Sequence, residues 1–98
     1  MKPIYEPNGK AKEYGEKFHS SHEAYSVIKE ELCEAKEEID ILEDKLDMEF
    51  WRGVRCDSDI ICRYNAKIIK EKAINAASEC IQIAAMAEKT LRGYEEKE

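Results

Sequence analysis

The chain has 98 residues, of which 39% are charged and 43% hydrophobic, with a formal net charge of −6 at pH 7. That length gives one domain, residues 1–98, whose own core is small, so partner copies are a natural supplement. The acidic balance argues against a nucleic-acid backbone as the main partner, and the composition is that of a folded helical protein rather than a disordered one.

Both prolines, Pro3 and Pro7, and the pair Asn8-Gly9 lie in residues 1–9, which read as an extended arm. Residues 10–18 suit a short N-terminal helix, weakened by Gly15. Neither this region nor any other carries a signal-peptide pattern or an apolar run that would span a bilayer. The four cysteines form no CxxC pair. They read as reduced thiols, and the expectation is a cytoplasmic protein with no membrane partner.

A long helix should start at Ser20 or Ser21. Either serine can cap it, and Glu23 stands at the capping-box position if Ser20 is the cap. Tyr25, Ile28, Leu32, Ala35, Ile39, Leu42, Leu46 and Phe50 recur at steps of three and four, which predicts a helix to about Trp51 with this stripe as its core face. Lys29 and Lys36 lie on one flank of the stripe. Glu31, Glu34 and Glu38 lie on the other, with Glu30 and Glu37 further round. Trp51 is expected to plug the hairpin end.

Arg52 to Ser58 is the break. Gly53 is expected to end the first helix, and Asp57 or Ser58 to cap the second. The second helix should run from about Asp59 to about Leu91, with Tyr64 on its core stripe. Gly93 should stop it, leaving residues 93–98 as a frayed tail.

Two long helices joined by a short break predict an antiparallel hairpin. Equal rise on both sides sets residues level when their numbers sum to about 109. Glu31 is then level with Ser78, beside Glu79, and Glu34 with Asn75. The second helix is apolar around most of Ala73 to Ala87, yet Glu71, Asn75, Glu79 and Gln82 form one polar line along it. Acids of the first helix and this line share a height, and rotation of the helices decides whether they meet. Converging carboxylates make a hard-oxygen site suited to Mg²⁺ or Mn²⁺. The bland alternative is a solvated acidic face.

The runs His22-Glu23-Ala24-Tyr25, Glu30-Glu31-Leu32-Cys33-Glu34 and Glu79-Cys80-Ile81-Gln82, the last followed by Ile83-Ala84-Ala85-Met86-Ala87, resemble the MazG-like family of all-α nucleoside triphosphate pyrophosphohydrolases. That family carries EExxE on one helix and ExxD on a later one. The resemblance covers roughly residues 18–92. It implies Mg²⁺ (or Mn²⁺) held by Glu31, Glu34, Glu79 and Gln82. It implies hydrolysis of a nucleoside triphosphate to monophosphate and pyrophosphate, with Glu34 or Glu38 as the proton acceptor. Gln82 stands where the family has Asp, and the motifs are further apart than usual. These departures point to an alternative, an inactive nucleotide-binding or assembly module on the same fold. The expected fold is all-α, a short N-terminal helix and a long hairpin. The hairpin is expected to associate as a homodimer or homotetramer with a four-helix-bundle core.

Overall fold

A computed structural model describes residues 17–95, all helical except 17–20 and 56–58, with no strand among them. Helix α1 spans Ser21–Asp44. It passes into a π-helical segment, Lys45–Phe50, and then into a short helix α2, Trp51–Arg55. Helix α3 spans Asp59–Glu95. The expected arm and most of the expected short helix lie outside the described residues. Residues 17–20 are non-helical.

The start of α1 is set by side chains. Ser20 Oγ accepts the Glu23 amide at 3.1 Å, and the His19 amide donates to Glu23 Oε1 at 3.2 Å. Two amides that the helix itself cannot use are thereby satisfied.

The break differs from the expected one. Gly53 does not end the helix but lies inside α2. The Ser58 amide donates to the Gly53 carbonyl at 2.9 Å and the Asp57 amide to that of Val54 at 3.2 Å. This is a Schellman ending. Its left-handed position is taken by Asp57, with φ 52°, where glycine is the usual residue. Ser58 then caps α3, its Oγ accepting the Ile61 amide at 3.3 Å. Gly53 is needed for space instead. An added Cβ would lie 2.8 Å from Ile61 Cγ2 and 2.9 Å from Cys62 Sγ. Gly93 does not stop α3, which continues to Glu95. A lone glycine near a helix end weakens the helix without breaking it.

The chain divides into two compact units. One comprises residues 1–33 and 78–98. Its described core is Val27, Ala85 and Met86, with Phe18 and Ile28 packed against them. The other comprises residues 34–77. It buries Ala35, Gly53, Asn65 and Ala76. In it, Glu38 meets Lys72 at 3.5 Å and Asn75 at 3.4 Å, the pairing of an antiparallel hairpin.

The expected stripe of α1 faces inward only in part: Ala35 is buried and Ile28 packs on the core, while Tyr25, Leu32, Ile39 and Leu46 are exposed and Ala24, Val27 and Glu31 are buried in their place. Trp51 and Tyr64 are exposed as well, so neither is a core residue of the single chain. Alanines and polar groups are buried beside Val27 and Met86, and many large apolar residues are exposed. Heptad spacing marks an apolar stripe but not what covers it. Among the described residues, no helix is long and apolar enough to cross a membrane.

Candidate functional site

Helical spacing selects the residues that line the first unit. On α1 the steps from Ala24 to Val27 to Glu31 keep one face inward. On α3 the steps from Glu79 to Gln82 to Met86 to Lys89 do the same. Ala24 on α1 and Ala85 on α3 are buried as well.

Glu31 is the deepest acid, 1% exposed. Glu34 follows one turn along α1 and is partly buried, as is Glu79 on α3. One carboxylate oxygen from each of Glu31, Glu34 and Glu79 lies within 4.8 Å of the others. An octahedral ion with bonds of about 2.0–2.1 Å places neighbouring ligand oxygens about 3 Å apart and opposite ones about 4 Å apart. The observed 4.8 Å is an upper limit on the spacing and is wider than both values. Among the described residues this is the one group of three or more acids, cysteines or histidines so arranged.

The donor set fits a hard divalent cation. It consists of carboxylate oxygens alone, with no sulfur or imidazole. Three like charges at this range repel one another, and a cation between them reverses that term. Gln82 lies one turn beyond Glu79. Its Oε1 is buried with no hydrogen-bond partner among the described residues. A buried carbonyl oxygen without a donor is an atom that a cation can satisfy.

Glu38, the other expected proton acceptor, lies outside the acid group. Its Oε2 takes the Lys72 ammonium and the Asn75 amide. Asn75 belongs to the expected polar line but serves Glu38, and Glu71 is exposed. His19 and His22 are exposed and do not join the acid group.

Sequence reading did not foresee the burial of Lys89. It is 1% exposed, and its Nζ sits 4.1 Å from the centre of the Phe18 ring. Loss of hydration pulls its pKa below the ordinary 10.5; Glu23 opposes the shift and Arg92 adds to it. Its place on the face of Gln82 and Met86, at steps of three and four, was the available signal. Beside it lies a cavity of about 250 Å³ lined in part by Phe18, His19, Thr90, Gly93 and Tyr94.

Comparison of the chain with protein-family models, curated proteins and solved structures gives no match. The acid group therefore stands on its own geometry.

Proposed function

We propose that the protein is a Mg²⁺- or Mn²⁺-dependent hydrolase of nucleoside triphosphates, releasing monophosphate and pyrophosphate. The observation that carries this reading is the buried Glu31 carboxylate, with oxygens of Glu34 and Glu79 within 4.8 Å. Glu31, Glu34 and Glu79 would hold the cation, and Gln82 would add a neutral oxygen. When bound, the ion supplies neutralisation of phosphate charge and a more acidic water. Glu34, partly exposed at the edge of the group, takes the proton of the attacking water on a carboxylate oxygen. Glu38 positions Lys72 and Asn75. The hairpin associates with copies of itself, so that a four-helix core covers the apolar residues left outside.

Gln82 favours a second reading, a nucleotide-binding or assembly module without hydrolysis. Its amide gives the site one negative charge fewer than a carboxylate there would. Pyrophosphate release from a panel of nucleoside triphosphates, with Mg²⁺ or Mn²⁺, separates the two. The enzyme reading expects release that is lost in Glu34→Gln. No release from any nucleotide, with nucleotide binding retained, would replace it by the module.

A further inference from the structure

Tyr25, Leu32, Ile39 and Leu46 are spaced by seven residues each, from α1 into the π-helical segment. They are 67%, 38%, 47% and 45% exposed. A strict seven-residue repeat keeps large side chains on one line of a helix surface. Such a line in water is the pattern of a helix that meets another helix. Beside it run three exposed charges, also seven apart: Lys29, Lys36 and Glu43. On the opposite side of α1 lie the residues turned into the hairpin, Glu31 among them. The charges that flank a contact through the stripe are therefore Lys29, Lys36 and Glu43.

Those three charges are arranged to choose an orientation. In a parallel, in-register pair each would lie level with its own copy, lysine beside lysine and glutamate beside glutamate. In an antiparallel pair with its two-fold axis near residues 35 and 36, the stripe matches itself. Tyr25 meets the partner's Leu46, and Leu32 meets the partner's Ile39. The same register sets Lys29 against the partner's Glu43, twice per dimer, and brings Lys36 level with its own copy at the axis, so one like pair remains against two opposite ones, where the parallel pair has three like pairs.

We propose that the exposed stripe of α1 is the contact surface for a second copy of this chain, packed antiparallel about an axis near residue 36. It rests on the self-association contained in the functional reading above and names its surface and orientation.

Sedimentation of the full chain at micromolar concentration, with circular dichroism to monitor helix content, tests it. The expected results are self-association of the native chain and a monomer for Leu32→Glu/Ile39→Glu with helix content kept. Lys29→Glu alone and Glu43→Lys alone should each weaken association several-fold. The double variant Lys29→Glu/Glu43→Lys should restore it, because the swapped pairs are again of opposite sign. A parallel pair gains nothing from that swap. A native monomer would overturn self-association itself. A dimer that ignores Leu32→Glu/Ile39→Glu, or that the double variant fails to restore, would overturn this surface and orientation while leaving self-association standing.

Discussion

Single residues at the break and near the end of α3 carry separable consequences. Gly53→Ala puts a methyl group against Ile61 and Cys62, at 2.8 and 2.9 Å, with the Cys62 amide nitrogen at 3.1 Å. The backbone cannot yield as a side chain can, and overpacking of this kind costs about 1–3 kcal/mol. Gly93→Ala meets nothing within 4 Å in a helical position and should stabilise by roughly 0.5–1 kcal/mol. Asp57→Gly removes the Cβ from a left-handed position and should stabilise by up to about 1 kcal/mol. Urea denaturation of the three variants checks all three signs. Lys89 gives a pH dependence. Its folded-state pKa is lowered, so between that value and the ordinary 10.5 the unfolded chain holds the proton and the folded one does not. Stability contributed by this group therefore rises with pH through that window. Subtracting the stability profile of Lys89→Met from that of the native chain should reveal the rise; a flat difference would show that Lys89 is fully hydrated when folded.

At the scale of elements, both long helices were legible because their apolar residues recur at steps of three and four. The cap at Ser20 with Glu23 and the cap at Ser58 were legible from local chemistry. That Glu31 and Glu79 share a height followed from equal rise along two helices joined by a short break. What could not be read was rotation. Ile28 and Ala35 of the expected stripe do face inward, but Ala24, Val27 and Glu31 take the places assigned to Tyr25, Leu32, Ile39 and Leu46. A seven-residue repeat looks the same whether it packs within a chain or between chains. The ending at Asp57 was missed because glycine is the usual signal, and Gly53 stood nearby with a different task. Glu38 was grouped with the acids by sequence, and Lys72, which holds it, was not foreseen because ion pairs across a hairpin depend on that same rotation. Charge repair at Gln82 is a prediction at this scale. Gln82→Glu or Gln82→Asp should tighten Mn²⁺ binding in calorimetry; loss of stability with no gain in affinity would place a dry contact there instead.

For the whole molecule, the single chain leaves Tyr25, Leu32, Ile39, Ile60, Ile74 and Leu91 exposed and encloses polar groups. Burial of apolar surface contributes about 25 cal/mol per Å², so an association that covers these residues should make the melting temperature rise with protein concentration. A melting temperature independent of concentration would point to a stable monomer. The acid group joins two helices, with Glu31 from α1 and Glu79 from α3. If these residues hold a cation, Mn²⁺ at a hundred times its dissociation constant should stabilise the fold by about 2.7 kcal/mol. The most direct measurement is calorimetric titration of the full chain with Mn²⁺, alongside Glu31→Gln and Glu79→Gln. The acid group of Glu31, Glu34 and Glu79 predicts saturable binding to the native chain that both substitutions abolish while helix content is kept. No saturable binding to the native chain, or equal binding to all three proteins, would contradict it.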